Sequence, residues 1–181
     1  MEKALRTFLS VQNIDLHKEY LRQLRLKYSI LEKSIPMLKG AELADIPRLG
    51  IKVSEREEAL LLKLEIMSHE IYFSSFTDKY QPCPIAAKHY GTENNFVYEV
   101  YKTARELGSG FLFISLDSRG KPVLTFAEGA RAVIPKYQPI LAIDLFEHAS
   151  FLDYGFERER YIENAAAHLN LSKLTEYAQR H

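Results

Sequence analysis

Apolar residues recur through the first third of the chain at the spacing of one helical face. From Asp15 to about Glu32, the residues Leu16, Leu21, Leu24, Leu26, Ile30 and Leu31 are interleaved with Lys, Arg and Glu, which predicts an amphipathic helix. Pro36 ends it, and Gly40 to Gly50, with Pro47 inside, reads as a connector. Ser54 followed by Glu57 has the form of a capping box, opening a second helix that runs to about Phe76. Two helices joined by a connector of this length predict an antiparallel hairpin, with residues 1 to about 13 as a lead-in.

The segment from Asp78 to Pro84 contains Pro82 and Pro84, which forbid helix continuation. It is the expected boundary between a helical domain over 1–80 and a second domain over 85–181. Thr92 to about Leu107 predicts a third helix, stopped by Gly108 and Gly110. The period then changes. Phe111 to Leu116 and Pro122 to Phe126 read as paired strands around the turn Asp117-Ser118-Arg119-Gly120. The apolar run Pro139-Ile140-Leu141-Ala142-Ile143 predicts a third, buried strand, and helices at about 157–167 and 171–179 close the chain. The expected fold is α+β, with an N-terminal antiparallel helical hairpin and a C-terminal α/β part containing a three-stranded antiparallel sheet.

Composition narrows the function. At 181 residues and 46% hydrophobic, the chain can bury a substantial core. Lys plus Arg and Asp plus Glu number 24 each, so no global field draws it to nucleic acid or an anionic membrane. The lone Cys83 excludes an internal disulfide and suits a reducing compartment. The opening Met1-Glu2-Lys3-Ala4-Leu5-Arg6 lacks the apolar core of a signal peptide, so a cytoplasmic location is expected.

Candidate chemistry begins where the third predicted strand ends. Asp144 follows Ile143 directly, and His148 comes four residues later. Carboxylate and imidazole are ligands suited to Fe, Mn or Zn, and a strand end is a stiff mount. Spacing alone also fits an ordinary strand terminus and helix start. Of the other histidines, His168 and His181 are expected to face solvent, and His89 falls in a loop. His17 lies in the first turn of helix one and His69 midway along helix two, among Leu64, Ile66, Met67, Ile71 and Phe73. Either could be a hydrogen-bonded core residue or a ligand.

Together these stretches resemble the iron/manganese superoxide dismutase family. Asp144-Leu145-Phe146-Glu147-His148-Ala149 is similar to that family's D-x-W-E-H-A signature, with Phe in the tryptophan position. Gly108-Ser109-Gly110-Phe111-Leu112-Phe113 is similar to its G-S-G-W-x-W strand, again with Phe for both tryptophans. Ser68-His69-Glu70-Ile71-Tyr72-Phe73 and Asp15-Leu16-His17 resemble the segments that carry its second and first ligands. The resemblance implies one Fe or Mn ion per chain, held by His17, His69, Asp144 and His148, and dismutation of superoxide to dioxygen and hydrogen peroxide. It also implies a homodimer through the Glu147–His148 region.

The departures cluster around the implied centre. The family's gateway tyrosine position corresponds to Arg25, and the polar pair at its dimer interface corresponds to Leu21 and Phe151. The family's redox-tuning Gln is absent from Phe126-Ala127-Glu128-Gly129, and its alternative position holds Glu65, four residues before His69. Glu65 and Arg25 are therefore the expected catalytic positions. Glu65 could imitate the Gln when protonated, or favour the oxidised metal when ionised. The alternative readings are a non-catalytic protein of the same fold, such as a ribosome-associated component, and a metal-binding module without turnover.

Overall fold

The computed structural model describes residues 2–129 and 133–180. Met1, at the head of the predicted lead-in, and His181 lie outside the described residues.

A short helix, α1 (Glu2–Leu5), precedes the long α2 (Val11–Ser34). The lead-in is thus shorter than expected, because Ser10 caps α2: its hydroxyl accepts the Asn13 N–H at 3.1 Å. Apolar periodicity alone cannot register such a polar first turn. The buried stripe of α2 comprises Asn13, Ile14, His17, Leu21, Leu24 and Tyr28, so helical spacing carries His17 inward with its apolar neighbours. Helix α3 (Val53–Ser74) starts close to the expected place. Its reach-back bond, however, runs from the Lys52 N–H to Glu55 at 3.2 Å, two residues earlier than the Ser54–Glu57 pair. The hairpin is antiparallel: His17 packs on Tyr72 and Phe73 at one end, while Lys63 sits over Tyr28 at the other. Leu24, Tyr28, Leu38, Ile46, Ala59 and Leu62 form a small core beneath the connector.

Pro84 does not merely end structure. It occupies the first turn of a short helix, α4 (Pro84–Tyr90), where its fixed φ is favourable, and His89 lies in the last turn of α4, not in a loop. Helix α5 (Glu93–Glu106) follows, with Thr92 accepting the Asn95 N–H at 3.0 Å. Strands β1 (Gly110–Leu116), β2 (Pro122–Glu128) and β3 (Leu141–Asp144) form an antiparallel sheet in the order β2-β1-β3, with Phe111 opposite Asp144. The chain then runs through α6 (Glu147–Tyr154), α7 (Arg158–Ala167) and α8 (Ser172–Arg180). His168 is half-buried, contrary to the expected exposure, because its ring stacks on Phe8 with centroids 5.4 Å apart.

The main core joins Leu5, Phe8, Ile14, Tyr72 and Phe76 to Phe96, Phe113, Ile143, Tyr161 and Ile162. The fold is α+β as expected. Two local contacts set the geometry of the sheet. Strand β3 lies at the sheet edge, and its outward Ala142 N–H is taken by the buried Ser75 hydroxyl at 2.8 Å. That hydroxyl also donates to the Ile71 carbonyl at 2.7 Å, tying the end of α3 to the strand. At the start of β1, Gly110 has φ +154, and a Cβ there would overlap the carbonyl oxygen of Ala127. Among the described residues no helix is long and apolar enough to cross a membrane.

Candidate metal centre

Four elements deliver one polar cluster into this apolar setting. His17 from α2, His69 from α3, Asp144 from the end of β3 and His148 from the first turn of α6 each offer a ligand atom, all within 4.8 Å of one another. Asp144 Oδ2 is the hub. It lies 3.1 Å from His17 Nε2, 3.2 Å from His148 Nε2 and 3.6 Å from His69 Nε2. Asp144, His17 and His69 are buried, whereas 32% of the His148 side chain is exposed and opens the cluster on one side.

His69 and Asp144 are held from behind by hydrogen bonds. The His69 Nδ1 lies 2.6 Å from the backbone carbonyl of Glu65, which holds the ring proton there and leaves the Nε2 lone pair facing inward. The Phe146 N–H donates to Asp144 Oδ1 at 2.8 Å, and the Tyr161 hydroxyl donates to the Asp144 carbonyl oxygen at 2.8 Å. Phe111 meets the His69 ring edge-on, and Phe146 stacks on His148 with centroids 5.2 Å apart. These two phenylalanines stand where the resemblance leads one to expect tryptophan, and they keep the apolar wall without an indole N–H.

The protonation pattern suits a cation. Burial pushes the Asp144 carboxyl up, but the hydrogen bonds and charges of His148 and His17 outweigh it and hold the group below the usual carboxylate range. Burial pulls His69 down to about 4, so its imidazole is neutral near pH 7. His69 Nε2 and His148 Nε2 face each other at 3.4 Å, His17 Nε2 faces Asp144 Oδ2, and His17 Nδ1 is buried without a hydrogen-bond partner. Inward-facing nitrogens beside a carboxylate form a donor set that one cation completes. Nitrogen and oxygen ligands at about 2.1 Å from one ion are separated by roughly 3 to 4 Å, and the separations from Asp144 Oδ2 fall in that range. The three-imidazole, one-carboxylate set fits Fe or Mn.

The residues expected nearby divide. Glu65 is half-buried one helical turn before His69, and burial raises its carboxyl above the ordinary value. Arg25 is not brought to the cluster. It is 57% exposed, and its guanidinium donates to Glu70 at 2.8 Å across the hairpin. A charged side chain with a solvent-exposed partner has no reason to enter a buried cluster. Tyr20 stands beside the cluster instead, a residue with no role expected from the sequence. Its ring centroid is 4.7 Å from that of His148 and 5.3 Å from that of His69, and its hydroxyl donates to Glu65 Oε2 at 3.5 Å. The available signal was its position three residues after His17, which places it on a neighbouring part of the same helix face.

Such a cluster, lodged between a helical hairpin and an α+β second half, defines a protein of the metal-binding class. Similarity to known proteins identifies the family. The family model described as iron/manganese superoxide dismutases, C-terminal domain, matches residues 85–177, and the chain belongs to that family. An iron superoxide dismutase of Bacteroides fragilis is 28% identical over 169 residues, covering 88% of this chain and 85% of that protein. One from Campylobacter jejuni is 31% identical over 87 residues, 46% of this chain and 39% of that protein. One from Helicobacter pylori is 25% identical over 127 residues, 64% of this chain and 60% of that protein.

Proposed function

We propose that the chain dismutates superoxide at one iron or manganese ion held by His17, His69, Asp144 and His148. The observation that carries this reading is the convergence of three imidazoles on Asp144 Oδ2 in a largely buried site. When bound, Fe or Mn supplies a reversible one-electron step, so that two superoxide anions and two protons become one dioxygen and one hydrogen peroxide.

The chain's own residues do the positioning. The Glu65 carbonyl keeps the His69 proton on Nδ1, and the Phe146 N–H pins Asp144 Oδ1 so that Oδ2 turns inward. Phe111 and Phe146 keep water from two sides of the cluster. A small anion has its approach along the partly exposed His148 and Tyr20. The Tyr20 hydroxyl and Glu65 Oε2 form a hydrogen-bonded pair at this rim. They hold exchangeable protons where the peroxide product needs them, with burial favouring the protonated Glu65.

The reading includes a homodimer through the surface around Glu147 and His148, where Phe151 of α6 and Phe156 just after it are 51% and 95% exposed. Sedimentation should give a dimer that Phe156→Glu weakens. The buried Cys83, which is in no disulfide, suits a reducing, cytoplasmic setting.

Protein purified without added metal should carry Fe or Mn near one ion per chain, and loaded protein should accelerate superoxide decay in a stopped-flow assay. Glu65→Gln should keep the metal and change the decay rate. A chain that takes up neither metal after reconstitution overturns the reading. The outward Arg25 and the Glu at position 65 favour a second reading, metal binding without turnover. Full loading with decay no faster than a free-metal control selects it.

A further inference from the structure

Asn13 is 1% exposed, yet neither its side-chain nitrogen nor its side-chain oxygen has a hydrogen-bond partner. One helical turn further along α2, His17 Nδ1 is also buried and unpartnered. Residues four apart share a helix face. Buried polar atoms are rarely left unpaired, and two orphan groups so placed are natural candidates to satisfy each other.

The helix cap explains why Asn13 is available. Third in α2, it occupies the position from which a polar side chain normally reaches back to the N–H of the capping residue. That N–H, of Ser10, is instead taken by Asp153 Oδ2 at 2.8 Å. The Ser10 hydroxyl in turn accepts the Asn13 backbone N–H. The cap is complete without the Asn13 amide, which is directed to the interior.

His17 has a matching need. For Nε2 to present a lone pair beside Asp144 Oδ2, the ring proton must sit on Nδ1. His69 meets this requirement through the carbonyl of the residue one turn back, Glu65. His17 makes no corresponding bond.

We propose that Asn13 is the positioning residue for His17. Its side-chain oxygen accepts the Nδ1–H, which fixes the tautomer and the ring orientation in which Nε2 faces the other three donors. Of the two ends of the amide, only the oxygen accepts a ring N–H. The inference rests on the reading of His17 as a metal ligand.

The test compares wild type with Asn13→Leu, which keeps the bulk, and Asn13→Asp, which keeps an acceptor. In a competition titration against a chromophoric chelator, Asn13→Leu should bind Mn²⁺ about 10- to 100-fold more weakly, and Asn13→Asp within a few-fold of wild type. Long-range ¹⁵N–¹H correlation spectra, recorded metal-free and with diamagnetic Zn²⁺, should show the His17 proton on Nδ1 in wild type and Asn13→Asp. In metal-free Asn13→Leu it should redistribute to Nε2. A folded Asn13→Leu that keeps the Nδ1–H and the wild-type affinity overturns the proposal. Should that variant not fold, wild type decides, since a His17 protonated on Nε2 also overturns it. Wild type that takes up no metal refutes the metal-centre reading, while the metal-free tautomer still tests Asn13.

Discussion

Ser75→Ala removes the side chain that closes the edge of the sheet. The hydroxyl is fully buried, accepts the Ala142 N–H at 2.8 Å and donates to the Ile71 carbonyl at 2.7 Å. Ile71 also accepts from the Ser74 hydroxyl at 2.9 Å, so the larger loss falls on Ala142. Its N–H would be left in the core without an acceptor, which costs about 1–3 kcal/mol. A destabilisation near 2 kcal/mol lowers Tm by about 4–8 °C in a chain of this size. The assay is urea unfolding of metal-free protein at neutral pH, with an unchanged m-value showing that the unfolded state is the same. Ser74→Ala is the control, because its half-buried hydroxyl makes only the local bond, and it should change stability by no more than about 0.5 kcal/mol. Ser75→Ala and Ser74→Ala equal within error would refute the assignment of the edge contact.

Tyr161→Phe deletes the donor to the Asp144 carbonyl and the 3.3 Å contact with the Tyr72 hydroxyl, and should cost about 1–2 kcal/mol by denaturant titration. Combined with Tyr72→Phe, the loss should be less than the sum of the two singles; strict additivity would mean the hydroxyls are not coupled. Gly110→Ala forces the β1–β2 ladder apart at the Ala127 carbonyl and should destabilise by about 2 kcal/mol or more, and a melting curve like that of wild type would contradict the close approach. For metal-free protein, stability should be flat above about pH 6.5. It should then fall with decreasing pH toward 4, as unfolded His69 takes up a proton that the folded state, with its pKa of about 4, resists. The loss over this window is about 3 kcal/mol, and it deepens below the ordinary Asp range because the Asp144 pKa is depressed in the fold. Equilibrium denaturation from pH 8 to 4 measures it, and a flat profile would show that His69 is not held neutral.

The elements with a strong period were legible. Helix α3, the hairpin strands and the closing helices lie within a few residues of their expected places, because burial on one face imposes the pattern directly. Helix α2 starts ahead of its apolar period and α4 has no clear period of its own for a shared reason: Ser10 and Pro84 are single-residue start signals ahead of short or polar first turns. At the site, His17, His69, Asp144 and His148 were grouped through motif resemblance, and the fold brings their ligand atoms together. Arg25 is expected near the cluster from the resemblance, and its contact in the fold is with Glu70; Tyr20 carries no expectation from the sequence. Glu70 on the opposing helix draws Arg25 outward, while the apolar body of Tyr20 lies against two imidazole rings. The role proposed for Asn13 was beyond the sequence altogether, since it depends on Asp153, distant along the chain, occupying the Ser10 N–H.

The hub at Asp144 also has a bearing on the order in which the molecule is built. His69 and His148 are 79 residues apart in the chain, and the cluster needs contributions from α2, α3, β3 and α6. The hairpin alone supplies two imidazoles and no carboxylate, so it makes a poor trap for an ion while the remainder of the chain is still emerging. Bringing Asp144 and His148 to the hairpin requires a long loop closure and β3 docked beside α3, a cost set by their distance along the chain. Metal capture at the proposed site therefore requires the assembled fold, and an ion seated there would crosslink α2 and α3 to β3 and α6.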